Sequence, residues 1–323
     1  MTILRRQFLH LAAGAVALST ASRTANAQTY PLRPVRLIVG YPAGGVGDIL
    51  ARLIGQRLSE RLGQPFIIEN KPGANTNIAT EEVTRSQPDG YTLIWTTSAN
   101  AINTTLYDNL NFNFNRDIAP VASLVRTPGV MEVNPAVPAR TVPEFIAYAK
   151  ANPDKINFAS GGILSRVSGE LFKMMTGINM LHVPYRGVAP AMTDLISGRV
   201  QVAFVPVPSS IEHIKAGRVR ALGVTSATGL DVLPDIPTVA EFVPGYEVSE
   251  WTGIGVPSNT PAEIADKLNK EINAALADPK FSTQLAALGG MALPGSRADF
   301  ARLIADETEK WAKVIKFANI TAE

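Results

Sequence analysis

The sequence predicts an α/β protein built in two similar parts. Three observations carry that expectation. Short apolar runs with strand character alternate with stretches of helical spacing, the alternation starts βαβαβ, and the same grammar returns in the second half of the chain. Among the 323 residues there is no cysteine, which excludes disulfides, thiolate chemistry and cysteine–zinc sites. The chain is long enough to hold itself by apolar cores alone.

The N-terminus reads as an export signal. Arg5 and Arg6 precede an apolar run over residues 8–18, and the small-x-small triplet Ala25-Asn26-Ala27 follows. The pair Arg5-Arg6 fits both the twin-arginine and the general secretory route. Removing residues 1–27 takes away Arg5, Arg6 and Arg23 and no acid. The 30 basic residues become 27 against 28 acidic ones, so the +2 of the full chain becomes −1. The corrected charge gives no general attraction to nucleic acid or an anionic membrane surface. No later apolar stretch has the length of a membrane span.

From residue 35 the elements follow in order. VRLIVG reads as a buried strand and residues 49–62 have helical apolar spacing. PFIIEN is a second strand, closed by the turn Lys71-Pro72-Gly73, and residues 78–85 form a short helix. Pro88-Asp89-Gly90 turns into the strand YTLIWTT. The pattern resumes with a helix over 142–151, the strand INFASGG and a helix over 166–176. MLHVPYRG then reads as a strand, followed by a helix over 189–197, the strand VQVAFVPV, a helix over 209–216 and a strand over 220–225. The last third is mainly helical, at 261–277 and 297–317. In the final helix apolar residues at 300, 303, 304, 311, 314, 315 and 317 define a packing face. No tandem repeat or low-complexity tract interrupts the series.

Two glycine-rich loops, each between a strand and a helix, are the candidate sites. In GYPAGGVGD, Pro42 breaks the dinucleotide fingerprint at its third position, and Val46 stands where a nucleotide-hydrolase loop needs lysine. Asp48 near the helix start also disfavours a polyphosphate. Gly44, Gly45 and Gly47 suit close approach to a smaller anion, and a plain tight turn capped by Asp48 fits the same residues. The second loop has Ser160, Gly161 and Gly162, then Ser165 and Arg166 at the next helix start; Arg166 offers a fork suited to a carboxylate. A polar turn with Arg166 exposed is the alternative. Both loops lie at the carboxyl ends of strands, where open α/β sheets bind ligands. His182 and His213 lack neighbours at metal-ligand spacing, and no Gly-x-Ser-x-Gly elbow anchors a hydrolase triad.

Block by block the chain resembles the periplasmic solute-binding proteins of tripartite tricarboxylate transporters, the Bug family. The resemblance is carried in order by YPLRPVRLIVGYPAGGVGDILAR, IIENKPGA, QPDGYTL, INFASGG, SGELFKMMTG, HVPYRGVAPAMTDLISGRV, HIKAGRVRALGVTS and LPDIPTVAEF, and by KW followed by VIKFANI. It implies a two-domain, hinged Venus-flytrap fold without catalytic activity, cofactor or metal. Domain one would comprise residues 28–126 and 252–323, and domain two residues 127–251. The implied role is periplasmic capture of a small carboxylate by a monomer that passes it to membrane permease subunits. A sensing module, or an exported enzyme using the cleft, are the rival readings.

The resemblance assigns one ligand carboxylate to Tyr41, Pro42, Ala43, Gly44, Gly45 and Asp48. The far end of the ligand would meet Ser160, Gly161, Gly162, Ser165 and Arg166. Thr96, Thr97 and Ser98, together with Pro184, Tyr185 and Gly187, are further cleft candidates. Three positions depart from the family pattern. Ala43 replaces a proline, Arg166 stands where histidine is frequent, and Val205 stands where aspartate is frequent. The loss of that acid leads to the expectation of a ligand without an amino group, a dicarboxylate or an aromatic carboxylate.

Overall fold

A computed structural model describes residues 30–322; the export signal expected over 1–27 lies outside the described residues. Strand β1 (Val35–Val39) is buried on both faces, as its unbroken apolar run requires. It runs parallel to β2 (Phe66–Asn70) on one side and to β3 (Thr92–Thr97) on the other. Helix α1 (Val46–Leu62) packs Leu50, Ile54 and Leu58 on Leu37, Val39 and Leu93. It stops at Gly63, which takes the left-handed conformation (φ 72°) and donates its N–H to Ser59 O. Helix α2 (Asn77–Thr84) covers the other face with Ala79 and Val83 against Ile38 and Ile94. The period-two alternation of β1 and β3 thus separates two core layers.

Helix α3 (Ser98–Leu106) and the short α4 (Phe114–Asp117) lead into β4 (Ile118–Val133), a strand of 16 residues. Strand β9 (Ser249–Pro257) lies between β3 and the first part of β4, antiparallel to both, from Ile118 opposite Pro257 to Pro128 opposite Ser249. Gly253 and Gly255 let its neighbours approach closely: a Cβ would lie 2.2 Å from Phe300 Cζ at the first and 2.5 Å from Ile118 Cγ2 at the second.

From Gly129 onward β4 enters a second sheet. There it pairs antiparallel with β7 (Val202–Pro206) and β8 (Arg220–Val224), while β5 (Asn157–Ser160) runs parallel to β7 and to β6 (Leu181–Pro184). Helices α5 (Val142–Ala151), α6 (Ile163–Thr176), α7 (Val188–Ser197) and α8 (Val207–Lys215) flank this sheet.

The chain then returns along β9 to the first sheet. Helices α9 (Ala262–Leu276) and α10 (Pro279–Ala287) follow, then the two-residue β10 (Met291–Ala292) on the edge of β4. The last helix, α11 (Arg297–Ala318), starts at a capping box formed by Ser296 and Asp299. Phe300 and Ile304 pack with Trp251 in the first part, whereas Trp311, Val314 and Ile315 join Phe145, Phe158 and Phe172 in the core of the second. One helix therefore fastens both cores. Of the apolar positions expected on its packing face, Phe317 is exposed.

Candidate functional site

A cavity of about 450 Å³ lies between the two sheets. Five helices present their first turns to it: α1 through Val46 and Gly47, α3 through Ser98 and Ala99, α6 through Ile163 to Ser165, α7 through Val188, and α8 through Pro208 and Ser209. The residues preceding α1, α6, α7 and α8 are Gly45, Gly162, Gly187 and Pro206, and none supplies a side-chain cap. The first N–H groups of these helices are left to other acceptors, at the end of each helix where the dipole is positive. Helix α3 is different: Thr97 caps it by accepting from Ala99 N–H at 3.2 Å, and its N–H donates to Asn100 Oδ1 at 2.8 Å.

The walls are largely apolar, from Leu50, Ile163, Leu164, Phe204, Val205 and Leu288. The floor is polar and lies where β4 and β9 cross between the sheets, with Thr127 opposite Glu250 and Thr252 two residues further along β9. Trp95 Nε1 and Thr252 Oγ1 are buried without a hydrogen-bond partner. No Lys or Arg lines the cavity among the described residues, and no cluster of His, Cys, Asp and Glu among them is suited to a metal ion.

Of the positions singled out in the sequence, Tyr41, Thr97, Ser98, Gly161, Gly162, Ser165 and Val205 line the cavity. Tyr41 and Thr97 share a hydrogen bond of 3.0 Å between their hydroxyls. Pro42, Ala43, Gly44 and Gly45 are exposed and do not line it; Val46 and Gly47 take that place. Asp48 is buried and holds the loop in shape, accepting from Gly44 N–H and Asn70 Nδ2 at 2.9 Å each and from Arg52 Nε at 3.0 Å. Burial pushes its pKa up, but the hydrogen bonds from Arg52, Gly44 and Asn70 outweigh it and hold the carboxyl below its ordinary value.

The second loop divides in the same way. Ser160 is buried beneath the cavity and bonds His182 Nε2 at 2.6 Å. Arg166 does not line the cavity; its charge acts on His182, whose pKa falls to about 4 through burial and then through Arg166 and Lys173. Pro184, Tyr185 and Gly187 stand behind the lining. Tyr185 N–H donates to Ser160 O at 2.9 Å, and Gly187 packs so closely on Gly161 that a Cβ there would lie 2.6 Å from the Gly187 carbonyl carbon. Thr96 alternates to the far side of β3 from Thr97 and is buried away from the cavity. Glu250, Trp95, Thr127 and Thr252 had no signal as site residues. The alternation in SEWTG would have placed Glu250 and Thr252 on one face, had that segment been read as a strand.

The family model for the tripartite tricarboxylate transporter family receptor, TctC, matches residues 50–320. The chain belongs to this family. Receptors of the TctC family are binding proteins rather than enzymes. The chain has the two-domain α/β periplasmic-binding-protein fold of solved relatives. It is similar to the R. palustris protein Rpa4515 with adipate at 37% identity and a TM-score of 0.77, over 90% of this chain and 99% of that one. The periplasmic binding protein BugD is 33% identical with a TM-score of 0.73, over 91% of this chain and 100% of that one. MatC from Rhodopseudomonas palustris with bound malate is 30% identical with a TM-score of 0.73, over 88% of this chain and 100% of that one. The Bug resemblance read from the sequence blocks agrees with the family match and with BugD.

Proposed function

We propose that this TctC-family protein is a periplasmic receptor that captures a small carboxylate, a dicarboxylate or an aromatic carboxylate, and delivers it to the membrane subunits of its transporter. The observation that carries this reading is the convergence of five helix N-termini on one cavity whose described lining holds no basic side chain. Main-chain N–H groups and helix dipoles are suited to a carboxylate, and apolar walls to the carbon skeleton between polar ends. The unpartnered Trp95 Nε1 and Thr252 Oγ1 are further donors for an oxyanion. Adipate in Rpa4515 and malate in MatC support the dicarboxylate class.

In this reading Tyr41, Thr97, Ser98, Gly161, Gly162, Ser165 and Val205 contact the ligand, and Asp48 with Pro42 to Gly45 shapes the rim. The domains divide as 28–126 with 252–323 against 127–251, and the hinge passes through the paired residues Thr127 and Glu250. Ligand shifts the protein toward a closed form, and residues 1–27 direct export. The test is a thermal-shift screen of the purified protein against mono-, di- and tricarboxylates. A ligand at 100 times its Kd adds about 2.7 kcal/mol of stability. No shift across the panel would refute the carboxylate reading.

A further inference from the structure

The cavity floor carries an acid that a grip on an anion does not need. Glu250 projects from β9 opposite Thr127 of β4, where the two sheets share their strands, and it lines the cavity. Its carboxyl lies close to Ser98, the first residue of α3. The charged and titratable groups around it are few. From α11 the Glu307 carboxylate faces it, itself held by Lys310 and by Trp311 Nε1 at 2.8 Å. The loop after β1 contributes the Tyr41 phenol, which is bonded to Thr97. Next to Thr127 on β4, Arg126 is paired with Glu247. No cation among the described residues pairs with Glu250.

We propose that Glu250 is a proton-linked selector in the binding cavity: as a neutral acid it donates a hydrogen bond to the distal carboxylate of a dicarboxylate, and as a carboxylate it repels that ligand. The inference rests on the carboxylate reading above. When one carboxylate of a dianion is held by helix N-termini, the second shares a small, largely apolar cavity with Glu250. Two carboxylates so placed do not both stay ionised without a cation, and none is at hand among the described residues. A proton taken from solvent by Glu250 removes the repulsion and supplies the missing donor. Burial, and to a lesser degree Glu307, already push its pKa up to about 7 against the pull of nearby Ser98. A ligand anion alongside raises it further, so binding takes up a proton and affinity for a dianion falls as pH rises through about 7. A ligand ammonium at the same place would reverse the sign, because it would favour the charged form.

Adipate is the probe, titrated calorimetrically at pH 6, 7 and 8 into the wild-type protein and into Glu250→Gln, which keeps the shape and a donor but cannot titrate. The expected result is a Kd for wild type that rises by up to about tenfold per pH unit above 7, the slope of one linked proton. At pH 8, titrations in two buffers of different ionisation enthalpy should show uptake approaching one proton per adipate. Glu250→Gln should bind with little pH dependence and more tightly than wild type at pH 8. The buffer comparison needs no variant and stands if Glu250→Gln folds poorly. Saturable adipate binding with a flat pH profile and no proton uptake overturns the Glu250 proposal while leaving the carboxylate reading intact. Tighter binding of 2-aminoadipate than adipate at pH 8, lost in Glu250→Gln, overturns it in favour of an ammonium seat. Absence of adipate binding at every pH in both proteins, with no other carboxylate shifting the melting temperature, overturns both.

Discussion

Replacing Glu132 by glutamine tests how the second sheet is held beside the cavity. Glu132 lies on β4 at 0% exposure; its Oε2 accepts from the Ser210 hydroxyl of α8 and its Oε1 has no partner. Burial, opposed by the Ser210 hydrogen bond, pushes its pKa from 4.5 up to about 7. The unfolded chain releases this proton near the lower value and the folded protein near the higher one. The stability that the neutral carboxyl contributes is therefore whole below pH 4.5 and lost progressively as pH rises to about 7. At about 1.36 kcal/mol per pH unit, that interval corresponds to about 3 kcal/mol. Glu132→Gln keeps the shape and the acceptor but leaves an amide donor to be satisfied, at a cost of about 1–3 kcal/mol at every pH. Urea denaturation of both proteins at pH 4, 6 and 8 separates the two effects. The variant should gain about 3 kcal/mol on the wild type between pH 4 and pH 8. A stability difference that stays constant over this range would refute the assignment of Glu132 as a buried neutral acid.

Three further substitutions probe the cavity. Gly161→Ala drives a Cβ to 2.6 Å from the Gly187 carbonyl carbon and Val188 N, so α6 and α7 must move apart. It should cost about 1–3 kcal/mol in denaturation and weaken ligand binding; an unchanged melting temperature would sink this account. Thr97→Val removes the cap on α3 and the hydroxyl that meets Tyr41. The expected loss is about 1 kcal/mol, with weaker affinity in calorimetry. Gly289→Ala places a Cβ 1.9 Å from Pro208 Cγ at a residue with φ 74°, where the α10 end meets the start of α8 beside the cavity. Ligand affinity should fall, and adding Pro208→Ala should restore part of it; no recovery in the double variant would place the damage in the backbone conformation alone.

The first sheet was legible because β1, β2 and β3 are short apolar runs punctuated by turn residues, and α1 and α2 follow helical spacing. Strands β4 and β9 left no such trace. Pro120, Pro128 and Gly129 interrupt β4, its pairing with β9 shifts register between Pro120 and Ala122 and again between Ser123 and Val125, and β9 contains Gly253 and Gly255. The alternation in β9 is confined to SEWTG before the glycines, too short to mark a strand, and the cavity floor lies on these two strands. The two glycine loops were found because a strand, glycines and a helix start form a local signature. Which atoms of each loop face inward was not local information: Asp48 folds the first loop back on itself and exposes Pro42 to Gly45, and Arg166 stands by His182 instead of in the cavity lining. Val205 lines the cavity. Glu250, in a strand that no motif marks, brings a carboxylate to the cavity lining.

The helix starts around the cavity separate what mutation can alter from what it must keep. In the proposed reading the anion is held by main-chain amides, and such a hold does not depend on which side chains surround it, since every residue except proline brings the same N–H. No single substitution deletes it, and its strength depends on how the helices are aimed. Mutation can therefore rework the pocket's size, polarity and charge through positions such as Val205, Phe204 and Glu250 without giving up the anchor. Inheritance of the anchor and drift of the preference become separable. A change of diet, for a receptor built this way, takes a few side chains and no new fold.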